Sequence, residues 1–300
     1  MEFTFLGTGA AEQYPGLWCT CEYCTKARKM GGRNIRHTSS GHFAGDCLID
    51  FPPETFTQGE RYGVDLLASR LLLVTHSHED HFYPQLLYWR YRPKEAADMS
   101  EEEKFKRGYS RQQELPTLYI YGNQCTYHTL ADHFNGQDLE DFAIKFIVPE
   151  LYQEYECNGV RFVPMEASHI DRGSSKGLIY IIEAQGKTFL YASDSGPYTE
   201  RTRKCIAAHK FDAVIMEQTF GNADKGNYHM DWDHAMAVSY THLPAYTDRG
   251  GAHRGGHDHQ DHQPPASVPS ALYIRDAHGP GRTCTGNKKA EETICMGICQ

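Results

Sequence analysis

No run of about eighteen consecutive apolar residues, the length a helix needs to cross a bilayer, occurs in this chain, so the sequence offers no membrane span. The opening Met1-Glu-Phe-Thr-Phe-Leu6 has no positively charged start and no long apolar centre, which argues against a secretory signal. Positive charge is also short: 30 Lys and Arg face 39 Asp and Glu, a formal net charge of −9. A protein that grips nucleic acid over its whole surface needs a basic face, so that class is disfavoured, although a local basic patch stays compatible. The chain reads as cytoplasmic. Cysteine is not scarce, with ten residues. Without a secretory context, clustered thiols read as metal ligands before they read as disulfides.

The remainder is that of a water-soluble globular chain. A hydrophobic fraction of 40% and a charged fraction of 23% over 300 residues suit one large α/β domain or two smaller ones. The most informative stretch is Leu71-Leu-Leu-Val-Thr-His-Ser-His-Glu-Asp-His-Phe-Tyr-Pro84. Four apolar residues predict a buried strand, and the polar cluster that follows ends it. Residues two apart share one side of an extended segment, so His76 and His78 can converge on one point. Once the chain turns, Asp80 and His81 can face a second point nearby. Nitrogen and oxygen donors in that layout suit two adjacent metal ions.

Other strands are predicted at Glu2–Leu6, Asp46–Asp50, Thr117–Tyr121, Gly159–His169 and Phe211–Glu217, with a hairpin of Leu178–Ile182 and Thr188–Tyr191. Gly7-Thr-Gly9 reads as a tight turn that uses glycine's backbone freedom, not as a phosphate loop. Cys19, Cys21 and Cys24, spaced C-x-C-x2-C, can surround one tetrahedral structural zinc, with a fourth ligand from elsewhere. Residues 85–115 read as two helical pieces, the second opened by a Ser100/Glu103 capping box. This insertion is either a wall beside the site or surface decoration. His128 and His133, five apart, read as ordinary helix or surface residues.

The motif His76-Ser-His78-Glu-Asp80-His81 resembles the signature of the metallo-β-lactamase fold hydrolases. The order Gly-Thr-Gly, C-x-C-x2-C, H-x-H-x-D-H further resembles the cyclic-ribose-phosphate phosphodiesterase of the carbon–phosphorus lyase pathway. That resemblance implies a four-layer αββα sandwich with all metal ligands at one sheet edge. His169 and Asp194 follow strands and match, in order, the family's third and fourth metal motifs. The implied site holds one metal by His76, His78 and His169 and a second by Asp80 and His81, with Asp194 bridging. Asp50 matches an aspartate that supports a metal-bound histidine, or is simply a turn residue. His229 matches a non-ligand histidine beside the bound phosphate. The expected cofactors are two divalent ions, zinc or manganese, plus the cysteine zinc.

The chemistry expected of such a site is hydrolysis of a small cyclic or nucleotide-like phosphodiester by a hydroxide shared between the metals. Asp80 would orient the attacking oxygen and His229 would protonate the leaving one. Two alternatives stay open: another hydrolase on the same scaffold, such as a tRNA 3′-end endonuclease or thioester hydrolase, and an inactive protein. The partner expected is a small phosphodiester, with no membrane; nucleic acid is disfavoured and homodimerisation stays open. The domain is taken as residues 1–238, C-terminally incomplete. Residues 239–300, rich in His, Gly and Pro, read as a disordered or artefactual tail. The family's closing Thr-His-x-x-His is not recognised there, because Thr241-His242 follows His229 too closely.

Overall fold

The computed structural model describes residues 1–109, 115–217, 219, 228–230, 234–235 and the backbone of 272–276. The twelve strands among these residues form two six-stranded sheets. The first contains β1 (Phe3–Gly7), β2 (Ser40–Phe43), β3 (Cys47–Ile49), β4 (Leu71–Leu73), β5 (Leu118–Tyr121) and β6 (Ile144–Ile147), in that spatial order. Strands β1 to β3 are antiparallel, and β3 to β6 are parallel. The second contains β7 (Tyr155–Cys157), β8 (Val160–Ile170), β9 (Lys176–Ala184), β10 (Lys187–Ala192), β11 (Ala213–Glu217) and β12 (Leu272–Asp276). It is antiparallel except for the β10–β11 pair. Helices α1 (Glu22–Met30), α2 (Thr55–Tyr62), α3 (Glu101–Lys106), α4 (Gln124–Phe134) and α5 (Glu200–Ala207) also lie among the described residues.

Strand β4 shows why the layers stack. Leu71 and Leu73 point between the sheets, where they join Phe162, Tyr180, Phe189 and Tyr191. Leu72 and Val74 point outward, toward Leu130 and Phe134 of α4. A strand buried on both faces needs an unbroken apolar run, and this one has it. Each such side chain stabilises the fold by roughly 1.5–3 kcal/mol. On the other side, Ile206 of α5 packs with Leu190, Val214 and Met216 on the outer face of the second sheet. The result is the αββα sandwich expected. The β9–β10 hairpin closes at Gln185-Gly186, both left-handed, as a two-residue turn requires.

The sheets are stitched together just below the polar edge. The Tyr180 hydroxyl donates to the Val74 carbonyl at 2.6 Å, and the Leu178 amide donates to the Thr75 carbonyl at 2.7 Å. The end of β4 is therefore fixed from the opposite sheet before its histidines begin.

Three differences from the sequence reading have physical causes. Neither Gly7 nor Gly9 has positive φ; glycine is needed there because a Cβ on Gly7 would lie 1.9 Å from the Thr38 carbonyl oxygen. The amides of Thr8 and Gly9 both donate to the His37 carbonyl, so they are not presented to a phosphate. The insertion is no mere decoration: its first piece, Pro84–Arg90, is a 3-10 helix whose Leu87 is buried in the outer core. Tyr88 and Tyr91 lie 5.3 and 5.1 Å from the Phe142 ring, anchoring it away from the polar edge. The capping box at Ser100 is present and opens α3, while residues 110–114 lie outside the described set.

The third difference is β12, in the segment read as a tail without strands. Its backbone pairs antiparallel with β11, from Ala213↔Asp276 to Glu217↔Leu272. Five residues carry too little periodicity to stand out from the His/Gly/Pro-rich sequence before them, and an edge strand draws its order from its neighbour. The rest of 239–300, including His242, lies outside the described residues.

Candidate metal centre

The parallel strands β4, β10 and β11 end at one edge, and β8 runs the same way, so four chain segments deliver polar side chains to one place. His76, His78, Asp80 and His81 follow β4; His169 is the penultimate residue of β8; Asp194 follows β10. The ligand atoms of His76, His78 and His169 lie within 4.8 Å of one another, as do those of His76, His81 and Asp194, and those of His169, Asp194 and His229. Asp80 belongs to none of these three groups, but its Oδ2 is 3.3 Å from His81 Nε2, beside Asp194 Oδ2 at 3.4 Å.

Hydrogen bonds to carbonyls and carboxylates decide which ring atoms can take a cation. A carbonyl only accepts, so His78 Nε2, 3.1 Å from the Asp171 carbonyl, carries the hydrogen and Nδ1 keeps its lone pair. That lone pair faces His76 Nε2 at 2.9 Å. His169 likewise donates Nδ1–H to the Tyr228 carbonyl at 3.1 Å. Its Nε2 is buried and has no hydrogen-bond partner among the described residues. An orphaned buried acceptor is costly unless something electropositive occupies the space in front of it.

The second point tells the same story in charge. Asp50, wholly buried at the end of β3, accepts from His81 Nδ1 at 2.8 Å and from the Thr75 amide and hydroxyl at 2.8 and 2.9 Å. His81 thus faces three carboxylates: Asp50, Asp80 and Asp194. Burial opposes its charge, yet the carboxylates, Asp194 first, hold its pKa well above the ordinary value. Burial pushes His76 well below, so that ring is neutral. For Asp194 burial opposes ionisation, but His81 and then His76 keep the carboxyl well below the usual range. Several buried anions around one imidazole leave negative charge uncompensated, which is expensive in a dry interior and is relieved by a cation. The donor set fits divalent metal.

Both Asp50 and Asp194 have left-handed backbones, with φ of +58° and +46°. Aspartate is among the few side chains that enter this region readily.

His229 sits at the rim, its ring 5.0 Å from that of His169. Its Nδ1 is 2.7 Å from Glu217 Oε1. Burial opposes protonation, but the bond to Glu217 and that carboxylate's charge lift the pKa to about 9. Glu217, wholly buried, also accepts from the Ser195 amide at 2.7 Å and from Thr219. One carboxylate therefore ties His229 to the residue after Asp194. No motif marks this role of Glu217 in the sequence, although a charged residue closing the apolar strand Ala213–Glu217 is a usable signal.

The cysteine cluster is separate. The Sγ atoms of Cys19, Cys21 and Cys24 fall within 4.8 Å of one another. Cys21 caps α1 and accepts from the Cys24 amide at 3.4 Å, which lowers its pKa. Cys24 is buried, which raises its thiol to about 11. His128 and His133 lie on α4, where His128 contacts Gln124 at 3.0 Å and His133 packs 6.2 Å from Tyr88.

Comparison with known proteins bears on the fold. The profile of the family described as the beta-lactamase superfamily domain matches residues 46–242. No curated protein matches the chain. Among solved structures, a diphosphatase from the PhnP family is similar, at 17% identity, covering 80% of this chain and 81% of that one with a TM-score of 0.56. Zinc-bound PqqB from Methylobacterium extorquens has 19% identity, coverage of 75% and 74%, and a TM-score of 0.55. The short form of human tRNase Z has 18% identity, coverage of 81% and 89%, and a TM-score of 0.54. With more than half its length matched by the family profile, and with histidine- and aspartate-bearing segments along one edge of two stacked sheets, the chain belongs to the beta-lactamase superfamily domain family and has the metallo-β-lactamase fold.

Proposed function

We propose that the protein is a metal-dependent hydrolase that cleaves a small phosphodiester, cyclic or nucleotide-like. The observation that carries this reading is the buried ring of imidazoles and carboxylates with the Glu217–His229 pair on its rim. His76, His78 and His169 would hold one divalent ion, and Asp80 and His81 a second, with Asp194 between them. Zinc suits these donors, and manganese also tolerates nitrogen and carboxylate ligands. Such ions, when bound, neutralise charge growing on phosphoryl oxygens and acidify water.

The chain's own residues account for the remaining steps. Asp80, whose carboxylate lies 3.3 Å from His81 Nε2, accepts a hydrogen bond from the attacking water and aims it. His229 gives its proton to the departing oxygen, while Glu217 keeps the ring oriented through Nδ1. A diphosphatase and a tRNase stand among the fold neighbours, which supports a phosphorus–oxygen bond as the target. The net charge of −9 favours a small substrate over a long polyanion.

The test is metal content together with turnover of bis-p-nitrophenyl phosphate. Two divalent ions at this edge, with activity lost on chelation and regained on metal addition, are expected. A protein that takes up no metal there would overturn the reading, and two ions without turnover would redirect it to a non-phosphate substrate.

The three thiols carry a second, independent expectation: a structural zinc at Cys19, Cys21 and Cys24. Cys21→Ser should lower bound zinc by about one ion per chain and reduce thermal stability, with turnover by the folded fraction retained. Unchanged zinc content by elemental analysis would remove this site.

A further inference from the structure

Asp171 is used by neither the sequence motifs nor the mechanism, yet it touches the His76–His78 segment at three atoms. It is 6% exposed and follows His169 by two positions, where β8 turns toward β9. Its Oδ2 accepts from the Ser77 amide at 3.1 Å and its Oδ1 from the Ser77 hydroxyl at 2.5 Å. Ser77, wholly buried, is the residue between the two histidines. The Asp171 carbonyl accepts from His78 Nε2 at 3.1 Å. Asn123, at the N-terminus of α4, donates to Asp171 Oδ2 at 2.7 Å and to the Lys176 carbonyl at 2.9 Å. The same Asn123 caps its helix, accepting from the Thr126 amide at 2.8 Å.

These contacts do three things at once. The carboxylate pins the peptide that carries His76 and His78, so the two rings cannot swing apart. The carbonyl fixes the His78 tautomer and leaves Nδ1 as the donor atom. The main chain from His169 to Asp171 then holds the third imidazole at a set distance from the other two, although it lies on the other sheet. From this we infer that Asp171 is the positioning residue of the three-histidine site, setting the geometry in which His76, His78 and His169 meet one cation. The inference rests on the metal-binding reading given above and adds a residue that holds the site without ligating.

The experiment is zinc affinity by chelator competition on the full chain, for wild type, Asp171→Ala, Asp171→Asn and Ser77→Ala, with thermal unfolding of each metal-free protein. Groups that orient metal ligands typically contribute about 10–100-fold in affinity. Asp171→Ala should weaken one of the two edge ions by that factor and leave the other near its wild-type affinity. Asp171→Asn keeps the volume, and its one oxygen can still accept from Asn123 and the Ser77 amide while its NH2 faces the Ser77 hydroxyl, so a smaller loss is expected. Ser77→Ala, which removes the hydroxyl bond alone, should lose least. If Asp171→Ala does not fold, Asp171→Asn decides the matter. Folded Asp171 variants with lowered melting temperature but wild-type zinc affinity would mean a purely structural role and overturn the inference. A wild-type protein that binds no zinc at this edge would overturn the metal reading itself, which separates the two failures.

Discussion

Replacing His229 with alanine should slow cleavage of an alkyl phosphodiester by about 10²–10⁴-fold, the usual contribution of a positioned general acid, and leave the metal content of the edge unchanged. The expectation follows from how the ring is held. Glu217 is wholly buried and shares its carboxylate between the Ser195 amide and His229 Nδ1, so the imidazole stands in one orientation and keeps its proton at neutral pH. An alkoxide is a poor leaving group and needs that proton as the bond breaks. A nitrophenolate departs as a stable anion, so the same variant should lose far less activity on bis-p-nitrophenyl phosphate. Measuring both substrates separates acid catalysis from damage to the metal site. An equal loss on both, with an ion missing, would make His229 a ligand instead, a role its proximity to His169 and Asp194 allows. Glu217→Gln should reproduce a milder form of the same leaving-group dependence.

Asp194→Asn is the second large effect. Asparagine enters the left-handed region as readily as aspartate, so the φ of +46° is kept and only the charge is removed. The carboxylate lies 3.4 Å from His81 Nε2 and 3.9 Å from His76 Nε2, so it reaches one residue from each of the two proposed ligand groups. Breaking a buried charged set by removing one partner costs about 3–5 kcal/mol. Edge-metal affinity should therefore fall by at least about two orders of magnitude, at ~1.4 kcal/mol per tenfold, and turnover should fall with it. Asp194→Ala would confuse this with backbone strain, because alanine does not favour positive φ. Isothermal titration with zinc is the check, and wild-type affinity in a folded Asp194→Asn protein would remove Asp194 from the ligand set.

Much of the architecture was legible because it rests on local patterns. The run Leu71–Val74, the alternating Gly159–His169 and the hairpin around Gln185-Gly186 each announce a strand by composition and period. The clustered histidines after β4 were legible for the same reason, since spacing alone brings His76 and His78 to one side. What stayed hidden depends on partners distant in sequence. Asp171 meets Ser77 across 94 positions, and nothing near it marks a carboxylate that serves another strand. Its place two residues beyond His169, on the same side of an extended segment, was the one available hint. Strands β2, β6 and β7 are short and take their order from neighbours on the sheet, which a single sequence does not display.

The proposed ligands are divided between the two sheets: His76, His78, Asp80 and His81 hang from the first, His169 and Asp194 from the second. On the proposed ligand set neither sheet alone can close a coordination sphere, so cations should bind the docked pair far better than any separated or unfolded form. By linkage, every increment of binding free energy is returned as cohesion of the sandwich. The same division dates the site within folding: it comes into being only when the halves of the chain have found each other, which makes metal uptake a readout of completed assembly.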